Sequence, residues 1–206
     1  MFEGIDTTRM ESVVRDSKIR LSVMERGMAK VENSFAEITG AMDSLGAGVT
    51  AIPSIVPLKD FSIRQSGAST GMKINPFYKT VVMHNGMDLL AASGTQVLAG
   101  ADGVVAKAVK NGKREGSSVE IDHKNGYVTV YNHLGNIKVR KGQKVNQGDV
   151  IAEVGLTGMS FAPHLHYEVW YNGKVMDPMD YFFSSITPQM YRDMAVVTAN
   201  TGQSLD

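Results

Sequence analysis

Five histidines stand in this 206-residue chain, His84, His123, His133, His164 and His166, and the last two are separated by a single residue. They lie in Pro163-His164-Leu165-His166-Tyr167-Glu168-Val169-Trp170, where apolar and polar residues alternate from Leu165 onward. Alternation with period two fits a half-buried β-strand. Side chains two apart on a strand share a face, so the imidazoles of His164 and His166 project side by side, about 7 Å apart. A zinc site can use such a pair, although one core histidine beside a surface one gives the same spacing. Upstream, His84-Asn85-Gly86-Met87-Asp88 sets an imidazole and a carboxylate four residues apart, with Gly86 allowing a tight bend. Imidazole and carboxylate together suit zinc, and a catalytic zinc keeps three protein ligands and one open position. His-x-x-x-Asp alone is a weak signal. Joined to His-x-His it supplies three ligands without cysteine. No His-Glu-x-x-His helix is present.

His133 ends Val130-Tyr131-Asn132-His133, ahead of Gly135. Alternation puts it on the face of Tyr127, Thr129 and Tyr131. Beside a metal it could donate a hydrogen bond or hold a proton near neutral pH; taken alone it is a satisfied surface histidine. His123 precedes a hairpin turn and reads as structural or surface. Asn85 is a candidate for orienting His84.

The elements that must hold these residues are mostly strands. Residues 95–99, 104–109, 118–123 and 127–133 alternate and are divided by turns at 100–103, 111–112 and 124–126. Asn-Gly between alternating segments is a strong hairpin signal. Residues 145–154 read as a further hairpin about Gln147-Gly148-Asp149, and 61–83 as extended and turn-rich, broken by Gly67, Gly71 and Pro76. The expected fold class is mainly β, an antiparallel sheet or sandwich over residues 51–186. A helical region over 1–50 precedes it, and a C-terminal helix and tail occupy 187–206. In the first region Met10, Val14, Leu21, Met24, Met28, Val31, Phe35, Ile38, Met42 and Leu45 follow steps of four and three, with Ser17 in the one vacant position. That heptad stripe predicts a coiled coil about 54 Å long. It would form a homodimer, bind a partner helix or space the next domain, unless it lies against its own domain. Pro53 and Pro57 end it. Thr187-Pro188 reads as a cap followed by a first-turn proline, Met190, Met194 and Val197 continue a short helix, and 199–206 is expected to fray.

Composition narrows the function classes. A 43% hydrophobic content suffices for a core, and 21 basic against 21 acidic residues give zero net charge. Nothing electrostatic therefore favours nucleic acid or an anionic membrane. The absence of cysteine excludes disulfides, thiolate zinc sites and cysteine nucleophiles. No apolar run reaches the 18 residues of a spanning helix, and Met1-Phe2-Glu3-Gly4-Ile5-Asp6 does not resemble a signal peptide. The 13 methionines read as core and seam filler rather than copper ligands.

Taken together, the motifs resemble the LytM or lysostaphin-type zinc metallopeptidases of bacterial cell-wall peptidoglycan. The resemblance rests on His84-Asn85-Gly86-Met87-Asp88, Tyr131-Asn132-His133-Leu134 and the Gly/Ser-rich approach to Pro163-His164-Leu165-His166, and spans about residues 60–180. It implies one Zn2+ per chain on His84, Asp88 and His166, with His133 and His164 as a catalytic pair that does not bind the metal. It further implies a zinc-dependent endopeptidase cutting peptidoglycan peptide cross-links, in a periplasmic or extracellular position, with a leader or anchor outside this sequence. All five positions match. The alternative is a non-catalytic LytM-like scaffold or activator of other wall hydrolases. More remote is a biotinyl- or lipoyl-type carrier module suggested by residues 141–151, which lacks a lysine at a tight turn.

Overall fold

The structure, a computed structural model, describes residues 50–206 together with Val14, Ser17, Lys18, Ala29 and Asn33, all five in helical backbone. The rest of the heptad stripe, and with it the expected dimer or partner helix, lies outside the described residues. The chain divides into two compact units, Met1–Ser44 and Leu45–Asp206. All five histidines belong to the second. Among the described residues no helix is long and apolar enough to cross a membrane.

Strands β1 (Gly71–Ile74) and β2 (Val81–His84) form a two-stranded antiparallel ribbon with Gly71 opposite His84. Nine more strands build one antiparallel sheet. They are β3 (Met87–Leu90), β4 (Gln96–Leu98), β5 (Gly103–Gly112), β6 (Gly116–Asp122), β7 (Tyr127–Ile137), β8 (Lys144–Val145), β9 (Val150–Val154), β10 (His164–Tyr171) and β11 (Lys174–Met176). The path runs β11-β10-β7-β6-β5-β8, with β3 on β10, and β9 between β4 and β7. Hairpin β6–β7 forms at its predicted turn, and β5 pairs with β6 in a hairpin whose turn lies further along than expected. Strand β5 runs through Asn111-Gly112, so its turn falls at 113–115. The expected hairpin at 145–154 does not form. A local turn is present, with Asp149 N–H donating to Asn146 O at 3.0 Å, but β8 pairs with β5 and β9 with β4 and β7. The neighbouring strands offered these two short segments better ladders than they offer each other.

Helix α1 (Pro188–Asn200) starts as its sequence predicts, Thr187 Oγ1 accepting from Met190 N–H, and its Met194 is fully buried. The core lies on one face of β10, where Leu165, Tyr167 and Val169 have no exposed surface. Tyr167 packs on Tyr131 at 5.2 Å between ring centroids and on Phe182 at 6.1 Å. Each such side chain contributes about 1.5–3 kcal/mol through burial. The opposite face of β10 carries His164 and His166. Slipping β10 by one residue would drive imidazoles into the apolar core, so its register is strongly specified. His123 is buried and structural: Nδ1 lies 2.7 Å from Asp102 O and Nε2 2.9 Å from Thr129 Oγ1. Burial pushes its pKa down.

Truncating Leu165 to alanine should lower the unfolding free energy by about 2–5 kcal/mol, the range for a buried leucine. Chemical denaturation measures it, and a loss below about 1 kcal/mol would contradict this core assignment.

Candidate metal centre

His84 closes β2, and its Nδ1 lies 2.9 Å from Ser69 O. A carbonyl only accepts, so Nδ1 carries a hydrogen and Nε2 is the nitrogen that faces Asp88. Ser69, rather than Asn85, therefore orients this ring. Four residues on, the fully buried Asp88 sits in β3. Gly86 lies between them because β3 passes β10 closely: a Cβ at Gly86 would come within 2.3 Å of Tyr167 O. On β10, His166 stands opposite Asp88 on one side and opposite Asn132 of β7 on the other.

These placements bring three donor atoms together. His84 Nε2 is 3.0 Å from Asp88 Oδ1, His166 Nδ1 is 3.1 Å from the same oxygen, and the two nitrogens are 3.1 Å apart. Ligands at about 2.0–2.1 Å from a tetrahedral zinc lie about 3.3 Å from one another. Two imidazole nitrogens and a carboxylate oxygen at these separations fit one zinc ion.

The charges explain how such a polar cluster survives burial. Burial alone would raise the Asp88 carboxyl, but hydrogen bonds from His166 and His84, with their charge, hold it well below the usual carboxylate range. Burial would likewise lower His166, yet Asp88, Glu168 and Asp206 raise it well above an ordinary histidine. A metal entering at Nδ1 therefore displaces a proton, and affinity rises with pH until His166 is neutral. Behind the ring, His166 Nε2 lies 3.1 Å from Glu168 Oε1, while Glu168 Oε2 accepts from Trp170 Nε1–H at 2.6 Å. This carboxylate fixes which nitrogen faces inward. Sequence reasoning missed Glu168, although its position two residues after His166 on one strand face is the signal that could have found it.

His133 and His164 flank His84, Asp88 and His166. Simple alternation would leave His133 on the core face with Tyr131, but a β-bulge intervenes. Ser117 faces Leu134 and Val119 faces Tyr131, so Ser118 opposes both Asn132 and His133. His133 takes φ +60, an uncommon conformation for a residue with a side chain. Its ring then lies 4.8 Å from that of His164 and 6.3 Å from that of His166. His133 Nδ1 donates to Thr157 O at 2.8 Å, leaving Nε2 toward the centre. His164 Nδ1 lies 2.8 Å from Ala162 O, and its fully buried Nε2 has no hydrogen-bond partner and sits 3.6 Å from Asp88 Oδ1.

A second carboxylate, that of Asp206, joins His84, Asp88 and His166 in a group whose ligand atoms all lie within 4.8 Å. The expected frayed tail was wrong here; its polar composition gave no sign of the long-range contacts that hold it. His84, His133, His166, Asn132, Arg114 and Asp206 are among the walls of a cavity of about 260 Å³.

Residues 82–178 match the Peptidase family M23. The structure resembles the catalytic domain of the antimicrobial peptidase lysostaphin from Staphylococcus simulans, with 30% identity and a TM-score of 0.51. The match covers 58% of this chain and 92% of that one. This chain belongs to the LytM/lysostaphin-type family. A zinc-containing peptidase from Vibrio cholerae is also similar, at 33% identity and TM-score 0.53, covering 61% of this chain and 39% of that chain. Among curated relatives, the peptidoglycan DD-endopeptidase ShyA of Vibrio cholerae is 42% identical over 107 residues, 52% of this chain and 25% of the relative. An uncharacterized metalloprotease of Buchnera aphidicola is 42% identical over 106 residues, 52% of this chain and 28% of its own length. The chain thus spans about a quarter of the length of these curated relatives. The family match takes in the five predicted site residues and ends before Asp206.

Replacing Glu168 with glutamine should weaken zinc binding roughly tenfold to a hundredfold, as loss of a ligand's hydrogen-bond partner does elsewhere. Competition with a chromogenic chelator reads this directly, and unchanged affinity in a folded variant would remove Glu168 from the centre.

Proposed function

We propose that this chain is a zinc-dependent endopeptidase that hydrolyses peptide cross-links of bacterial cell-wall peptidoglycan, working in the cell envelope. The observation that carries this reading is the meeting of His84 Nε2, Asp88 Oδ1 and His166 Nδ1 at 3.0–3.1 Å, with two further imidazoles beside them. Family membership and the DD-endopeptidase name of a 42% identical relative support the substrate class.

In this reading His84, Asp88 and His166 hold one zinc ion. When bound, the ion supplies Lewis acidity that polarises a peptide carbonyl and makes water acidic enough to ionise near pH 7. The remaining chemistry belongs to His133 and His164. Each has its Nδ1 bound to a main-chain carbonyl, so each neutral ring offers Nε2 as a proton acceptor. Burial pushes the pKa of His164 down, which keeps the ring neutral at working pH and ready to take a proton from attacking water. Once protonated at Nε2, either ring can hydrogen-bond the developing oxyanion or return the proton to the leaving amine. The Nε2 of His164 suits that task, since it is buried without a hydrogen-bond partner and Asp88 Oδ1 stands off at 3.6 Å.

Purified zinc-loaded protein should release soluble peptides from peptidoglycan sacculi, and His164→Ala or His133→Ala should reduce the rate by about a hundredfold or more while retaining zinc. Sacculi left intact by the zinc-loaded wild type and by its variants, when a reference hydrolase digests them, would refute the activity and favour a non-catalytic scaffold.

A further inference from the structure

Residues 201–206 do not fray beyond α1 but lie in the metal cleft. Lys73 Nζ donates to Thr201 O at 3.0 Å, Ile74 N–H donates to Gly202 O at 2.9 Å, and Ser204 N–H donates back to Ile74 O at 3.2 Å. The segment is thus paired with β1 in parallel, Gln203 opposite Ile74. Phe161 N–H, in the loop before β10, donates to Leu205 O at 2.8 Å, and Leu205 N–H donates to Asp88 Oδ2 at 2.9 Å. Asn75 Nδ2 and Ser204 Oγ both donate to the main-chain oxygen of Asp206, at 2.8 and 2.9 Å. Contacts from three separate places therefore deliver one side chain to one point. Asp206 Oδ2 lies 3.2 Å from His166 Nδ1 and 3.5 Å from His133 Nε2, and Oδ1 lies 3.6 Å from His84 Nε2.

We infer that Asp206 is a fourth protein ligand of the metal, and that residues 201–206 form a strap that closes the site against substrate. The inference rests on the metallopeptidase reading above. The Asp206 carboxylate approaches His166 Nδ1 with Oδ2 at 3.2 Å and His84 Nε2 with Oδ1 at 3.6 Å, close to the roughly 3.3 Å edge of a tetrahedral zinc shell. Four protein ligands complete such a shell, whereas catalysis needs one position for water or substrate. The same carboxylate stands at His133 Nε2 and masks the atom that would carry the proton. The strap is itself an extended peptide added to the edge of β1, the mode in which a peptide substrate can dock on a strand. A substrate strand lying along β1 competes for the same hydrogen bonds. Gly202 and Gln203 are exposed and the strap is tied by hydrogen bonds rather than by core packing, so it can leave without disturbing the sheet.

The test compares the full chain with Asp206→Ala, which removes the ligand, and with Ser204→Pro, which removes the donor to Ile74 O and keeps Asp206. Zinc affinity is read by chelator competition, and the open position by the response of the cobalt-substituted visible spectrum to acetohydroxamate. Both variants should bind zinc roughly tenfold or more weakly than wild type. Acetohydroxamate should shift their spectra while leaving that of the wild type unchanged, and both should digest sacculi faster. Equal affinities and equal acetohydroxamate responses in all three proteins would overturn the strap while leaving the metal centre intact. Weakened zinc binding in Asp206→Ala, with Ser204→Pro behaving as wild type, would reject the strap as the device that positions the ligand. A wild type that binds no metal would remove the metallopeptidase reading and this inference together.

Discussion

The pairing of β3 with β10 is the constraint on which the rest of this molecule depends. It sets His166 directly opposite Asp88 and places Leu165 and Tyr167 on the reverse face, where they have no exposed surface. The apolar face makes the register expensive to change, and the polar face inherits that precision. A carboxylate with no solvent contact is costly unless paired. Here the two imidazoles beside Asp88 supply the compensation, so the cluster is stable as a unit and fragile to loss of any member. Gly86 belongs to the same constraint, because a Cβ at that position would come within 2.3 Å of Tyr167 O.

Features that follow from short-range periodicity were legible in the sequence. His164 and His166 share a face because a strand has period two, and Thr187-Pro188 starts a helix because local chemistry decides a cap. Features set by distant partners were not. The Gln147-Gly148-Asp149 turn is real, but which strands β8 and β9 join depends on the edges that β4, β5 and β7 present. His133 reaches the site only through a bulge against Ser118, and no residue in Tyr131-Asn132-His133-Leu134 announces one. The motif located the residue, while simple alternation put it on the wrong face. Asp206 was invisible for a similar reason: its segment is polar, and the partners that order it come from residues 73–75, 88 and 161.

Energetics suit a strap that can open. Hydrogen bonds of the kind that hold residues 201–206 contribute about 1 kcal/mol each, and ordering each residue of backbone costs about 1–2 kcal/mol. The two nearly cancel for a segment of this length, so a bond from the Asp206 carboxylate to a metal would decide the balance. Opening would leave both imidazoles in place, since His84 is anchored to Ser69 O and His166 to Glu168 without help from the strap, while Asp88 would lose one donor, Leu205 N–H.

The central claim is that His84, Asp88 and His166 surround one ion. Anomalous diffraction at the zinc edge, from crystals of the full chain grown with zinc, addresses it without relying on activity. The account predicts a single strong peak per chain, about 2.0–2.1 Å from His84 Nε2, Asp88 Oδ1 and His166 Nδ1. A zinc-replete crystal with no peak there, or with its peak at ligands that exclude Asp88, would contradict it.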